Sequence, residues 1–267
     1  MTRPFKVLCA GGSDSGGGAG IQADLKAVAA CGCYGTSVIT ALTAQNTLGV
    51  QEIFPVPGKF IAAQMDSVLS DIGADAVKTG MLLTGSAVDV VTEKILQYRV
   101  KKVVVDPVMI AKGGRVMMQD VARKAVVQKL LPLSFVVTPN IPEAEALTGL
   151  QIRSVADMKK AAAIIADTGV KNVVIKGGHL PESRKKSSID ILYDGKTYHE
   201  FKAAWIATKN THGTGCTFAS ALAAKLASGA QIVQSVEQAK QIITEAIANS
   251  LSLGKGHGPV NALGKMY

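Results

Sequence analysis

Short runs of β-branched and other apolar residues alternate along this chain with longer segments of helical periodicity. The helical patterns lie at 19–30, 59–70, 85–97, 121–130 and 154–167, with two longer ones near the C-terminus. Strands that are apolar on both faces are typical of a parallel sheet covered by helices on both sides. The pattern therefore predicts an α/β fold with three layers, α/β/α, and a mostly parallel central sheet. The six predicted strands are 7–10, 37–40, 76–78, 103–105, 135–137 and 173–175.

The pattern changes between 189 and 206, where Asp194-Gly195 separates two short alternating runs. Asp-Gly between such runs is a hairpin signal, so an antiparallel edge is expected there. The remaining connections are short, and no repeat or linker-like segment interrupts the chain. Residues 1–267 are therefore predicted to form a single domain.

The amino-acid composition excludes several classes of protein. Hydrophobic residues make up 48% of the 267 positions and charged residues 18%, which excludes a disordered or collagen-like chain. The four cysteines lack paired CxxC spacing, so reduced thiols and a cytoplasmic location are expected. Neither a signal peptide nor an apolar run of about 18 residues is present, so no membrane insertion is expected.

The net charge of +9 allows nucleic acid, an anionic membrane surface or small anionic substrates as partners. Basic residues are spread over both halves of the chain, and the dense run Arg184-Lys185-Lys186 is interpreted as a solvated loop. Aromatic residues make up only 4%, too few for stacking platforms. Small anionic substrates are favoured, and no nucleic acid is expected.

The segment from Asn210 to Thr217, NTHGTGCT, leads into an apolar helical run at 218–226. Two glycines allow a tight turn whose amide N–H groups face one concavity, and the following helix adds its positive dipole end. This predicts an anion-binding loop, although a plain helix N-cap fits the same residues. The ending GK[ST] of a Walker A loop is missing, so a lysine from elsewhere would have to contact phosphate.

A second glycine cluster, at 11–20, follows the first strand and opens the first helix. It resembles a dinucleotide fingerprint, but the acidic residue expected about 20 residues later is missing. The cluster would let a ligand lie against the backbone, with Ser13 and Asp24 available for hydrogen bonds.

Three further strand ends carry the groups that phosphoryl transfer needs. Asp106 ends one strand, Asn140 and Glu143 follow the next, and Lys176 ends the last. Carboxylates can hold Mg²⁺, and a lysine can neutralise charge on transferring phosphates. Taken singly, Asp106 also fits a helix cap, Glu143 a solvated acid of a first helical turn, and Lys176 a surface lysine.

Taken together, seven segments closely resemble the hydroxymethylpyrimidine and hydroxymethylpyrimidine phosphate kinases of thiamine biosynthesis, in the ribokinase-like superfamily. The resemblance covers nearly the whole chain in order. It implies a ribokinase-like fold and an ATP- and Mg²⁺-dependent kinase. Such a kinase phosphorylates 4-amino-5-hydroxymethyl-2-methylpyrimidine and then its monophosphate to the diphosphate. The segments are GSDSGGGAGIQADLK at 12–26, TALTAQNT at 40–47, VKTGML at 77–82, DPVM at 106–109, TPNIPEAEAL at 138–147, KGGH at 176–179 and NTHGTGCT at 210–217.

The resemblance also implies site residues. An amide such as Gln45 offers one donor and one acceptor, which suits the edge of an aminopyrimidine. The remaining residues fall into four groups by role. Asp24, Ala19, Met81 and Val108 would line the pyrimidine pocket; Asn140, Lys176, Thr211, Gly213 and Gly215 would bind ATP; Asp106 and Glu143 would hold the metal; and Lys176, Gly213, Thr214, Gly215 and Cys216 would be catalytic.

Cys216 stands where many sugar kinases of the superfamily have an aspartate as general base. A thiol at a helix N-terminus near cations can have a lowered pKa and accept a proton. Only the first phosphorylation, of an alcohol, needs this, because the second attack uses an oxygen that is already anionic. Cys216 is therefore expected to matter more for the first step. The alternative is a small apolar residue packed under the loop.

Two other functions stay open. Pyridoxal or pyridoxine kinases share several of these segments, and Gln45-Asn46-Thr47 argues against them. A regulator that binds a nucleotide or vitamer without catalysis is the alternative from another class.

Further expectations concern assembly and loops. Family members are often homodimers, so a homodimer is expected. Gly113-Gly114 and 180–188 are candidate closing loops. The histidines lack metal-ligand spacing, so no zinc site is expected, and the last helix is predicted at 241–253, with core packing as its role.

Overall fold

The computed structural model describes residues 3–109, 117–180 and 187–264. Strands and helices alternate as the sequence predicts. The strands are β1 (Lys6–Gly12), β2 (Tyr34–Asn46), β3 (Gly49–Pro55), β4 (Ala76–Thr79), β5 (Val103–Val105), β6 (Val136–Val137), β7 (Asn172–Ile175), β8 (Ser187–Tyr193) and β9 (Tyr198–Ala204). The helices are α1 (Gly20–Ala30), α2 (Gly58–Asp71), α3 (Gly85–Gln97), α4 (Asp120–Ala125), α5 (Ile141–Thr148), α6 (Val155–Ala166), α7 (Thr214–Ala227) and α8 (Ile232–Ala248).

Within the described residues the strands form one nine-stranded sheet in the order β3-β2-β1-β4-β5-β6-β7-β8-β9. The six strands predicted from the sequence are the parallel ones, which lie side by side in the order β2, β1, β4, β5, β6 and β7. The antiparallel edge at β8 and β9 is confirmed, with Asp194 and Gly195 in the turn between them. The mostly parallel three-layer fold is therefore confirmed.

Alternate residues of the central strands point to opposite helix layers, as the pleat of a strand requires. In β5, Val103 and Val105 pack with α2 to α6, whereas Val104 packs with α1, α7 and α8. The same alternation separates Leu8 and Ala10 from Val7 and Cys9 in β1. Two apolar cores result, one on each face of the sheet, and both hold the carboxyl ends of the parallel strands in a row.

Four elements differ from the sequence prediction. One is α5 (Ile141–Thr148), which was not among the predicted helices. Strand β3 was not predicted, because its residues are mostly exposed and lack an apolar run; it pairs with the extension of β2 across a bulge at Ala44/Gln45. The helix predicted at 121–130 is an α-helix only to Ala125 and continues as a π-helical segment, Val126–Leu130. The helix predicted at 241–253 was wrong in its bounds, since α8 starts at Ile232 and ends at Ala248. Its Ile243 and Ala246 are buried, which confirms the packing role.

Three predictions concern residues wholly or mostly outside the described part of the chain. These are the solvated loop at Arg184-Lys185-Lys186 and the closing loops at Gly113-Gly114 and 180–188. None of the helices in the described ranges has the length and apolar character needed to cross a bilayer.

Candidate active site

The polar groups predicted at three strand ends lie along one edge of the sheet. Asp106 follows β5, Asn140 follows β6 and Lys176 follows β7. These three strands are parallel neighbours, and an additional parallel bridge joins Asn140 to Lys176. The structure therefore brings these residues together, at the edge where open α/β sheets bind ligands.

Lys176 and Asp106 form an ion pair at this edge. The distance from Nζ to Oδ1 is 2.9 Å, and the side chains are 13% and 2% exposed. The hydroxyl of Thr138 donates to the same oxygen at 3.3 Å. Burial lowers the pKa of Lys176, but Asp106 and then Glu143 raise it more, so the lysine stays charged. Lys176 is not a surface lysine, because its ammonium group is directed at a buried carboxylate.

Asn140 and Glu143 form a capping box at the start of α5. The Asn140 side chain accepts from the Glu143 amide at 2.9 Å, and Oε2 of Glu143 accepts from the Asn140 amide at 2.8 Å. Burial and the charge of Asp106 raise the pKa of Glu143 to about 7, against the opposing effect of Lys176. The acid is thus buried close to Asp106 and Lys176, contrary to the alternative of a solvated side chain.

The anion loop (residues 211–216) turns into α7 at Gly213. This glycine has φ +80, and a β-carbon there would overlap the carbonyl oxygen of Gly18. No side chain caps α7, and the first turn of a helix has backbone amides that can bind an anion. A β-carbon on Gly215 would lie 3.4 Å from both Oδ2 of Asp106 and Nζ of Lys176. The loop therefore meets the ion pair directly.

Cys216 is half-buried in the first turn of α7. Burial and the carboxylates of Asp24 and Asp106 raise the pKa of its thiol to about 12, although Lys78 and a hydrogen bond from the Gly20 amide lower it. The expectation of a lowered pKa is wrong for the ligand-free chain. The favourable helix terminus and cation are present, but burial and the two carboxylates outweigh them.

Asp24 is buried beneath the site in an ion pair with Lys78. Nζ of Lys78 lies 2.7 and 2.8 Å from the two carboxylate oxygens, and the hydroxyl of Ser220 donates to Oδ1 at 2.8 Å. Both residues are 0% exposed. The expectation that Asp24 lines the pocket and bonds a ligand is therefore corrected: its oxygens are already bound and no surface remains to contact a ligand.

Asp14 organises the glycine loop (residues 13–19), a role that the sequence analysis missed. Its carboxylate is 1% exposed and accepts hydrogen bonds from the amides of Gly16, Gly18 and Ala19 at 2.7–3.0 Å. Nε2 of His212 lies 2.8 Å from Oδ2. An aspartate two residues before a run of three glycines was the available signal, since short acidic side chains commonly bind nearby backbone amides.

The other residues predicted for the pyrimidine pocket lie in the glycine loop, in β2 and after β4 and β5. Met81 is buried in a small apolar cluster against which Val108 packs. Ala19 is the N-cap of α1 and half-buried. Gln45 lies beyond the bulge of β2, half-buried, with its amide between Thr43 and His212. Of the residues expected to line the pocket, Ala19 and Gln45 thus keep exposed surface, and Met81 and Val108 have apolar neighbours.

The carboxylates fit a magnesium ion. Mg²⁺ is usually bound through one or two carboxylates together with phosphate oxygens and water. Burial and then the charge of Asp106 raise the pKa of Glu143, so the two carboxylates are near each other, as a shared cation site would require. Among the described residues no group of three acidic, histidine or cysteine side chains could hold a metal ion.

Fixed charges of both signs at the carboxyl edge of a parallel sheet are suited to phosphoryl transfer, the reaction of a kinase. The family model for phosphomethylpyrimidine kinase matches residues 14–261. The chain belongs to that family.

Similar proteins include members of this family and a related vitamin kinase. The chain is 48% identical to the hydroxymethylpyrimidine/phosphomethylpyrimidine kinase of Bacillus subtilis, covering 96% of this chain and 94% of that one. It is 52% identical to the thiamine biosynthesis bifunctional protein ThiED of Geobacter sulfurreducens over 96% of this chain, but it spans only 51% of that longer protein. The solved ADP complex of Bacillus subtilis pyridoxal kinase is 38% identical with a TM-score of 0.90, covering 97% of this chain and 98% of that one.

Proposed function

We propose that this chain uses ATP and Mg²⁺ to phosphorylate 4-amino-5-hydroxymethyl-2-methylpyrimidine and then its monophosphate. The observation that carries the proposal is the contact between the anion loop and the Lys176–Asp106 ion pair at the carboxyl edge of the sheet. Phosphoryl transfer depends mainly on positioning and on stabilising charge. The Lys176 cation, the acids Asp106 and Glu143 and the amides of the anion loop lie at one place, where they can both position a phosphoryl group and stabilise its charge.

Lys176 and the amides of the anion loop would stabilise the charge on the transferring phosphoryl group. Lys176, Asn140 and Thr211 would contact the nucleotide, together with Gly213 and Gly215. Asp106 and Glu143 would hold Mg²⁺, which neutralises phosphate charge when bound. Thr214 stabilises the anion loop, since its hydroxyl donates to the Thr211 carbonyl at 2.8 Å.

Cys216 would take the proton of the alcohol in the first step. The thiol is protonated in the ligand-free chain, so this role requires that bound substrates change the charge balance around it. The second step needs no base, because the attacking phosphate oxygen is already anionic. Positioning and electrostatics would then carry the second step alone.

Product analysis tests the proposal. The chain is incubated with ATP, Mg²⁺ and the hydroxymethylpyrimidine, and we expect the monophosphate followed by the diphosphate. Lys176→Met should lower kcat about 100-fold or more, the usual cost of removing a group that stabilises the transition state. Lys240→Met is the matched control, since Lys240 also pairs with a buried acid, Asp190, at 2.8 Å. No product in the wild-type chain, with tight pyrimidine binding, would favour the regulator instead.

Pyridoxal kinase activity is the second candidate, supported by the close structural likeness to the Bacillus subtilis enzyme. Gln45 favours the pyrimidine, since its amide offers a donor and an acceptor side by side. A competition assay with equal concentrations of pyridoxal and the hydroxymethylpyrimidine separates the two. Much faster turnover of pyridoxal would replace the first candidate.

We also propose a homodimer and a cytoplasmic location. Strand β3 is a sheet edge, and Phe54 and its partner in register, Leu42, are 63% and 49% exposed. Exposed apolar edges are sites where a second chain can pair. Sedimentation of the wild-type chain and of Phe54→Lys should show a dimer and a monomer, respectively. The four cysteines are free, as expected in a reducing compartment.

A further inference from the structure

His212 is held by two separate segments of the chain. Its amide donates to the Gly258 carbonyl at 3.1 Å, and its carbonyl accepts from the Val260 amide at 3.0 Å. Its ring lies against Gly18, where a β-carbon would approach Cδ2 to 2.5 Å. Its Nε2 lies 2.8 Å from Oδ2 of Asp14. The glycine loop and the C-terminal segment therefore fix both the position and the tilt of the ring.

The partner of His212 decides which ring nitrogen carries hydrogen. Burial raises the pKa of Asp14, but the hydrogen bond and charge of His212 and the amides of Ala19 and Gly16 lower it more, so Asp14 is ionised at neutral pH. An ionised carboxylate only accepts hydrogen bonds. Nε2 of His212 must therefore be an N–H donor.

This donor determines the orientation of the Gln45 amide. The structure sets Nε2 of Gln45 3.3 Å from Nε2 of His212, and Oε1 of Gln45 3.2 Å from Oγ1 of Thr43. The first contact opposes two N–H donors. The second needs the Thr43 hydroxyl hydrogen, which already points to the Ser13 carbonyl at 2.9 Å. The two ends of an amide have the same shape, and exchanging them removes both conflicts. Nε2 of Gln45 then donates to Oγ1 of Thr43, and Oε1 faces the N–H of His212, whose one hydrogen points mainly to Asp14 at the shorter distance of 2.8 Å.

After the exchange, each end of the amide keeps one unused hydrogen-bonding position. Oε1, beside His212, can accept one more hydrogen, and Nε2, beside Thr43, can donate one more. In the pyrimidine, the 4-amino group donates and the neighbouring N3 accepts, so the two edges match. The reactive hydroxymethyl group is on C5, next to the amino-bearing carbon. Because His212 is part of the anion loop, this orientation directs the hydroxymethyl group toward that loop.

We propose that His212, held by Asp14, is a positioning residue that fixes the Gln45 amide and thereby selects a 4-amino over a 4-oxo pyrimidine. The inference rests on the proposed function through the substrate role of Gln45. A 4-oxo ring with hydrogen on N3 presents the opposite order, acceptor then donor. To match it the amide must turn over, which places its N–H against that of His212. Rejection of the 4-oxo ring thus comes from a repulsive contact.

The test measures kcat/KM for the hydroxymethylpyrimidine and for its 4-oxo analogue. In His212→Leu we expect the ratio of the two to fall roughly tenfold or more, because the amide is free to turn. The loss should lie mainly in KM for the amino substrate. His212→Gln, which restores an N–H donor, should recover part of the discrimination. The matched control is His199→Leu, which removes a similar pair, with Asp194 at 3.0 Å, from the β8–β9 hairpin and should leave the ratio unchanged.

An unchanged ratio in His212→Leu, with both substrates slowed equally, overturns the inference, because a merely structural role predicts that result. If His212→Leu does not fold, Asp14→Asn is measured in the same way. That change frees His212 to adopt its other tautomer, and an unchanged ratio there overturns the inference as well. Failure of the proposed function looks different: the wild-type chain would then phosphorylate neither pyrimidine.

Discussion

Lys78 and Asp24 lie beneath the candidate active site as an ion pair without exposed surface, with 2.7 Å between Nζ and Oδ1. Burial lowers the pKa of Lys78, but Asp24 raises it above its ordinary value, so the lysine is charged. The pair joins β4 to α1, and through Ser220 it joins both to α7. The helix that begins at the anion loop is thereby tied to the centre of the sheet.

Removing one partner of this pair should destabilise the fold strongly. Lys78→Met leaves a buried carboxylate without its counter-charge, which costs about 3–5 kcal/mol. The double variant Lys78→Met with Asp24→Leu should recover most of this loss in urea unfolding. The comparison is Lys129→Met, which removes a half-exposed pair with Asp89 and should change the free energy of unfolding by less than about 1 kcal/mol. Additive losses in the double variant would contradict the coupling.

Glu143 should make stability depend on pH. Its pKa is raised from 4.5 to about 7, so the folded chain retains this proton to higher pH than the unfolded chain does. The free energy of unfolding should therefore fall as pH rises from 4.5 to about 7, by up to about 3 kcal/mol. Glu143→Gln keeps an oxygen for the capping box and removes the titration. Urea unfolding of both proteins across this range measures the difference, and a difference that does not vary with pH would contradict the assignment.

Gly213→Ala should damage both stability and activity. Gly213 has φ +80, and a β-carbon would overlap the Gly18 carbonyl, so the anion loop would have to move away from the glycine loop. We expect a loss of about 1–3 kcal/mol in thermal or urea unfolding, together with a loss of kinase activity. Gly229 is the matched control, since it has φ +94 with nothing within 4 Å of an added β-carbon. Gly229→Ala should lose stability only.

Cys216→Ala should slow the two phosphorylations unequally. Loss of a proton acceptor from an alcohol costs about 100-fold, whereas an anionic phosphate needs no acceptor. Rates are measured separately with the hydroxymethylpyrimidine and with its monophosphate as substrates. Cys31→Ala serves as a control, since Cys31 lies at the far end of α1. Equal proportional losses in both steps would show that Cys216 only packs beneath the loop.

The sequence predicted the parallel part of the fold well because those strands are buried on both faces. A strand such as β5 is apolar at every position, and that signal is local. Strand β3 lacked it, since only its pairing with β2 makes it a strand. The strand-end residues Asp106, Asn140 and Lys176 were found for a similar reason: in a parallel sheet, neighbouring strands end at one edge.

The sequence by itself determined the fold class, the row of polar strand ends and the resemblance to a kinase family. Only the tertiary structure decided how individual charges are used. Asp24 is paired with Lys78 from a distant strand, and the thiol of Cys216 has a raised pKa instead of a lowered one. Both outcomes depend on burial and on charges that are far away in sequence. Electrostatic interactions act through space, so a linear pattern shows which groups can ionise, and only the folded chain shows which partners they meet.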